Sequence, residues 1–202
     1  VHPTALPEES LSKPYVDFIL RGECEISILE FVKAFENKKF SKVRGLSYKK
    51  KSNGKFKFYH NDIPPLVENL DEIPFPARDL FEGFPEKYSS SVQRSRCKAD
   101  ILTSRGCPGT CNYCNKNIHG YRFRARSPKN VVDEIEFLYN QGIKDFYISD
   151  DYFAADLERV SNICDLILER NLQIKWACVT GIRVDNVSLD VFKKMKKAGC
   201  FR

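Results

Sequence analysis

No apolar run in these 202 residues approaches the ~20 that a helix needs to cross a bilayer, so no spanning segment is expected. No charged-then-apolar stretch opens the chain, and this removes the mark of a secretory signal. The first residue is Val1 rather than an initiator Met, and the chain stops at Cys200-Phe201-Arg202, where a further strand should begin; a fragment truncated at both ends is expected. No large excess of one charge is present. The net charge of +6 is mild, and no stable nucleic-acid partner is expected from it. Its densest run, Lys49, Lys50, Lys51, Lys55 and Lys57, flanks Asn53-Gly54, a strong two-residue hairpin signal, and reads as a solvated hairpin. With 42% hydrophobic and 30% charged residues, the composition is that of a globular protein with ample core.

What is present in number is cysteine. Eight cysteines without a secretory signal argue for a reducing interior, hence a cytoplasmic location, and against disulfides. Cys24, Cys97, Cys164, Cys178 and Cys200 are scattered, and Cys164 and Cys178 lie in apolar runs, as small buried hydrophobes do. Cys107, Cys111 and Cys114 are different: Cys107-Pro-Gly-Thr-Cys111-Asn-Tyr-Cys114 is a C-x3-C-x2-C spacing. Three thiolates in one loop can hold one face of a four-iron cubane, whereas an electron-carrying [4Fe–4S] cluster normally takes four. The fourth iron is then open to a substrate or cofactor. A structural zinc site with His119 as fourth ligand is the competing arrangement, although zinc ligands usually come as two separated pairs.

The pattern divides the chain in three. In residues 1–60, Tyr15–Leu20 reads as a strand, and Ile28, Leu29, Phe31, Val32 and Phe35 recur at helical spacing. Gly45–Tyr48 and Phe56–Tyr59 form the hairpin. Residues 61–96, punctuated by Pro64, Pro65, Pro74, Pro76 and Pro85, read as a linker. Residues 97–202 alternate strands and helices: Asp100–Thr103, then Ser127-Pro128 capping a helix that Gly142 ends, then Asp145–Ser149, a helix through Leu157, Val160, Cys164, Ile167 and Leu168, Ile174–Val179, and a helix capped by Ser188. Such alternation implies right-handed βαβ crossovers and a parallel sheet.

Sites in such sheets collect at the carboxyl ends of the strands. The first end carries the cysteines, the second Ser149, Asp150, Asp151 and Phe153, and the third Thr180, Gly181 and Arg183, followed by Asp185. Asp150 and Asp151 also read as helix-capping carboxylates, and Arg183 as a salt-bridge partner. Arg122, Arg124 and Arg126 alternate on one face of an extended segment, read as solvated in preference to an anion site. Trp176 reads as core.

The run Ile101-Leu-Thr-Ser-Arg-Gly-Cys-Pro-Gly-Thr-Cys-Asn-Tyr-Cys114 resembles the signature of radical S-adenosylmethionine (SAM) enzymes. Arg126-Ser-Pro-Lys-Asn-Val-Val-Asp-Glu-Ile135, Asp150-Asp151-Tyr-Phe153 and Met195-Lys-Lys-Ala-Gly-Cys200 are similar to the branch with an N-terminal cobalamin (B12)-binding domain. Val1-His-Pro-Thr-Ala-Leu-Pro-Glu-Glu9 and Asp17-Phe-Ile-Leu-Arg-Gly-Glu-Cys-Glu25 resemble the last third of that domain. The resemblance implies an α/β chain: the C-terminal part of a Rossmann-like cobalamin-binding domain (1–60), a linker (61–96), and the first half of a radical SAM partial (β/α)6 TIM-like barrel (97–202). It implies a [4Fe–4S] cluster on Cys107, Cys111 and Cys114, with SAM chelated at the open iron, and a cobalamin. Tyr113 would lie against the adenine. Asp150-Asp151 stands where the family binds the SAM amino group, without the usual Gly-Gly-Glu, and Arg183 would meet the SAM carboxylate through its fork. The Asp-x-His-x-x-Gly cobalt-ligand motif is not in these residues, and His2 reads as a loop histidine.

The implied activity is cleavage of SAM to a 5′-deoxyadenosyl radical, with cobalamin-dependent methyl transfer to an unactivated carbon of a small-molecule or lipid-like substrate, fed by a reductant such as flavodoxin or ferredoxin. Cyclisation of a porphyrin ester is the alternative within this branch. A tRNA methylthiotransferase would need three more cysteines, and residues 1–96 hold only Cys24. A zinc-stapled RNA-binding module and a simple electron carrier are the remaining alternatives.

Overall fold

The computed structural model describes residues 1–88, 95, 97–116, 118–183 and 187–202. They form two compact units, one of residues 1–68 and 109–121, the other of residues 69–108 and 122–202.

The first unit opens with two short helices, α1 (His2–Ala5) and α2 (Pro7–Ser12), each with Pro in its first turn, where a missing N–H costs nothing. Strand β1 (Phe18–Leu20), helix α3 (Glu25–Phe35) and strands β2 (Leu46–Ser52) and β3 (Lys55–His60) follow. The strands form an antiparallel sheet in the order β1-β2-β3, with Phe18 opposite Tyr48 and Leu20 opposite Leu46. The expected hairpin is present: Ser52 faces Lys55, and Asn53 and Gly54 take φ of 49° and 77°. Two successive positive φ values match the twist of the flanking strands. Val43, Leu46 and Tyr48 are the buried centre, ringed by Phe18, Leu20, Phe31 and Phe40. Helix α3 forms where its spacing predicts, but Ile28, Leu29, Val32 and Phe35 of its apolar face are exposed. His2 begins α1 rather than lying in a loop, with its Nε2 3.5 Å from Glu9.

The expected linker of residues 61–96 is not a connector throughout. Residues 69–88 belong to the second unit, and 3-10 turns span Leu70–Glu72, Arg78–Leu80 and Glu86–Tyr88. Leu70 is buried, Asp71 Oδ1 accepts from the Ser127 amide at 2.9 Å, and Arg78 pairs with Glu134 at 2.6 Å. Prolines abolish periodicity without preventing packing, so a pattern search sees a break where the chain makes contacts.

The rest of the second unit runs β4 (Lys98–Ile101), β5 (Ser104–Arg105), β6 (Arg124–Ala125), α4 (Pro128–Asn140), β7 (Asp145–Ile148), α5 (Leu157–Glu169), β8 (Lys175–Cys178) and α6 (Leu189–Lys197). Strands β4, β7 and β8 form a parallel sheet in sequence order, with Ile101 opposite Ile148 and Ile148 opposite Cys178. Ser127 caps α4 by accepting from the Asn130 amide at 3.1 Å, and Pro128 fills the first turn. Such a cap contributes about 1 kcal/mol. Asp156, not Asp150 or Asp151, caps α5, and Ser188 caps α6. Val131, Val132, Ile135 and Leu138 of α4 and Val160, Ile163, Cys164 and Ile167 of α5 pack on Phe146, Ile148 and Trp176 of the sheet. The Trp176 indole is core, as expected, and its N–H donates to the Ala198 carbonyl at 3.0 Å.

A fourth strand position starts beside β8. Trp176 bridges Cys200 in parallel, and the Phe201 amide donates to the Trp176 carbonyl at 3.0 Å. Gly199 makes the turn into it with φ 98°, and a side chain there would collide with the Ile174 carbonyl.

Candidate cluster and cofactor site

After β4 the chain passes through Leu102 and Thr103 into β5, which pairs antiparallel with β6, Ser104 facing Ala125 and Arg105 facing Arg124. This short ribbon holds both ends of the segment 106–123, which carries the three closely spaced thiols. Gly106 leaves the ribbon with φ 81°, a conformation open to glycine without strain.

Beneath the ribbon lies a buried carboxylate. Asp150, the second residue after β7, is fully buried. Its Oδ1 accepts from the Thr103 amide at 2.5 Å, and its Oδ2 accepts from the hydroxyls of Thr103 at 2.5 Å and Ser104 at 2.6 Å. Its carbonyl accepts from the Thr180 hydroxyl at 2.6 Å. One residue thus joins the carboxyl ends of all three parallel strands. Burial pushes the Asp150 carboxyl above the usual carboxylate range, against the pull of these hydrogen bonds and of the Arg159 guanidinium. Asp151 is exposed, and its Oδ2 accepts from the Gly106 amide at 3.0 Å, at the start of the thiol-bearing segment.

Arg159 on α5 completes this base. Its Nη2 donates to the Thr103 carbonyl and its Nε to the Arg126 carbonyl, both at 2.8 Å. Burial lowers its pKa, with Asp150 and Asp156 opposing. Arg126 is buried as well, paired with Glu134, which also receives Arg78. The solvated face expected for Arg122, Arg124 and Arg126 is therefore corrected: Arg122 is exposed, whereas Arg124 and Arg126 are buried. Alternation puts Arg124 and Arg126 on one face without showing what meets it; Arg126 is drawn in by Asn130 and Glu134 of α4.

The expected site residues divide by setting. Cys107 is half-buried in the second unit, and Cys111 and Cys114 are exposed in the first, where the Cys114 amide donates to the Cys111 carbonyl at 3.1 Å. Tyr113 is 92% exposed, its ring bare for stacking. Arg183 is exposed beyond β8, and Asp185 lies outside the described residues. The Asp150 carboxylate, expected near the SAM ammonium, accepts from Thr103 and Ser104. None of the eight cysteines forms a disulfide. Among the described residues, no group of three or more His, Cys, Asp or Glu side chains is already drawn together as a metal site. Sequence reasoning missed Thr103, Ser104 and Arg159. Their partners lie more than 30 residues away in the chain, and no local spacing encodes such contacts.

Comparison with known proteins agrees with this arrangement. The Radical SAM superfamily model matches residues 101–202. An uncharacterized methyltransferase of Pyrococcus horikoshii is 35% identical over 98% of this chain and 42% of its own length. The anaerobic magnesium-protoporphyrin IX monomethyl ester cyclase of Rubrivivax gelatinosus is 30% identical over 96% of this chain and 35% of its own. Among solved structures, the cobalamin-dependent S-adenosylmethionine radical enzyme OxsB, with aqua-cobalamin and S-adenosylmethionine bound, gives a TM-score of 0.77 at 24% identity, over 99% of this chain and 29% of that one. The likeness to OxsB speaks to fold. The chain spans less than half the length of each of these proteins. A three-thiol segment leaving the first strand of a parallel βα sheet, together with a matching superfamily model across that sheet, places the chain in the radical SAM superfamily.

Proposed function

We propose that this chain is part of a radical SAM enzyme that transfers a methyl group to an unactivated carbon with the help of cobalamin. The observation that carries the reading is the C-x3-C-x2-C segment at the carboxyl end of β4, anchored by the Asp150 latch. The donor set fits the cluster: three thiols, two of them exposed, and a spacing that leaves one iron for a ligand from outside the chain. The naming of the Pyrococcus relative as a methyltransferase, and the cobalamin and SAM bound in OxsB, support the choice of reaction and cofactors.

In this reading Cys107, Cys111 and Cys114 hold the cluster, and Tyr113 covers the adenine of SAM. When bound, the cluster with SAM supplies a hydrogen-abstracting 5′-deoxyadenosyl radical, and cobalamin supplies a transferable methyl group. Asp150 acts from below, fixing Thr103 and Ser104 and so the start of the thiol segment. Asp151, exposed at the same strand end, is the better placed of the two carboxylates to meet the SAM ammonium. Arg183, at the third strand end, offers its fork to the SAM carboxylate. Residues 1–60 are read as the end of the cobalamin-binding domain. The substrate is a small or lipid-like molecule, and the electron comes from a flavodoxin- or ferredoxin-type carrier. No helix of the described residues is long and apolar enough to cross a membrane.

A second reading, a cyclase of the porphyrin-ester type, is favoured by the Rubrivivax relative. The two are separated by incubating the full-length protein anaerobically with cobalamin, SAM and a strong reductant, then quantifying 5′-deoxyadenosine and S-adenosylhomocysteine. Methyl transfer predicts both products, with S-adenosylhomocysteine dependent on cobalamin. The cyclase predicts 5′-deoxyadenosine alone, and the absence of both refutes either reading.

A further inference from the structure

Glu23 is a buried carboxylate with no part in the chemistry above. It follows β1 in the run Arg21-Gly22-Glu23-Cys24, where Gly22 turns with φ 77° and its amide donates to the Thr4 hydroxyl at 3.1 Å. Glu23 Oε2 accepts from the Val67 amide at 2.9 Å, and Oε1 lies 3.1 Å from Nδ1 of His119. The carboxylate side chain is 1% exposed and the imidazole 28%. A carboxylate so far from water is held only by partners that satisfy its oxygens, and the imidazole is one of them.

His119 lies five residues after Cys114, in the stretch 109–121 that packs as part of the first unit. That stretch closes on itself. Lys116 Nζ donates to the Gly109 carbonyl, and the Lys116 ammonium sits 4.9 Å over the Tyr121 ring. The Gly120 amide donates to the Lys116 carbonyl at 2.9 Å. Cys111 and Cys114 lie inside the closed loop. Its far end runs tightly past residues 66 and 67: a Cβ on Gly120 would stand 3.1 Å from Leu66 Cδ1. The loop therefore has an internal clamp, Lys116, and an external anchor, the Glu23–His119 contact.

We propose that Glu23 and His119 are positioning residues for the cluster: the carboxylate orients the imidazole, and the imidazole seats the loop that presents the Cys111 and Cys114 thiols. The proposal rests on the radical SAM reading of those thiols. Groups hydrogen-bonded to metal ligands typically matter about 10–100-fold to metal affinity, and the Glu23–His119 contact acts one step further out, on the segment that bears the ligands.

The test uses the full-length protein reconstituted anaerobically with iron and sulfide, as wild type, Glu23→Ala, Glu23→Gln, His119→Ala and His119→Gln. Iron release to a chelator is followed in time, the EPR line shape of the reduced cluster is recorded with and without SAM, and circular dichroism checks the fold. The alanine variants are expected to release iron about tenfold faster than wild type. Their SAM-dependent EPR change should be broadened, and the glutamine variants, which keep a hydrogen-bonding group, should recover part of both. If an alanine variant fails to fold, its glutamine counterpart still decides by iron release and line shape. Wild-type iron release and line shape in all folded variants would overturn the proposal. A wild-type protein that assembles no cluster refutes the reading beneath it and the proposal together.

Discussion

Asp150 and Thr103 are joined twice, the backbone amide of Thr103 to one carboxylate oxygen at 2.5 Å and its hydroxyl to the other at 2.5 Å, across 47 residues of sequence. This bidentate contact locks the end of β7 to the chain leaving β4, the point from which the thiol segment departs. Removing the carboxylate orphans a buried amide and two hydroxyls. Asp150→Ala is expected to lower unfolding free energy by about 3 kcal/mol, since each unsatisfied buried group costs about 1–3 kcal/mol. Thr103→Val should cost less, because the amide bond survives. Urea denaturation monitored by the Trp176 fluorescence checks both, and unchanged midpoints would contradict the latch.

Arg126, Glu134 and Arg78 form a second buried assembly, with one carboxylate between two guanidiniums. Breaking a buried pair from one side leaves an uncompensated charge, and here it leaves two. Glu134→Ala should therefore cost about 3–5 kcal/mol. Glu134→Gln, which keeps two hydrogen-bonding groups, should cost less. Thermal melts of both variants check the double pairing of Glu134: equal and small losses would contradict it.

The cysteines should differ in reactivity. Burial pushes the Cys164 thiol up to about 12 and the Cys178 thiol higher still, so both stay protonated at pH 8, and only thiolate is nucleophilic. Cys111 and Cys114 are exposed. Iodoacetamide at pH 8 on native, metal-free protein should label Cys111 and Cys114 while sparing Cys164 and Cys178, read by peptide mass spectrometry. Raising the pH toward 12 should bring Cys164 into reaction only as its thiolate fraction grows. Early labelling of Cys164 would contradict its burial.

Gly199→Ala tests the fourth strand position. The turn needs positive φ and leaves no space beside the Ile174 carbonyl, so loss of at least about 1–2 kcal/mol is expected. Gly54→Ala, at a hairpin tip where a Cβ meets nothing, suffers only the φ penalty and should lose less.

Local chemistry made much of this legible in advance. Ser127-Pro128, Ser188 and Asn53-Gly54 announce their caps and turn because each acts on residues two or three positions away. The helices of the second unit show themselves by spacing. The three thiols stand out because metal ligation by one loop is a short-range pattern. The rest depends on pairings between distant residues. Nothing near Asp150 in sequence points to Thr103 and Ser104, and nothing near Glu23 points to His119. Residues 69–88 read as a linker because prolines hide the contacts of Leu70, Asp71 and Arg78. Arg124 and Arg126 read as solvated because alternation reports a shared face without reporting what covers it.

The proposed role of Cys107, Cys111 and Cys114 is to hold a [4Fe–4S] cluster with one iron open to SAM. The most direct measurement is EPR of the reduced, anaerobically reconstituted full-length protein, with and without SAM, beside Cys111→Ala. A [4Fe–4S]⁺ signal that shifts when SAM is added and is lost in the variant is expected. Bound zinc in place of iron, or a cluster signal indifferent to SAM, would contradict it.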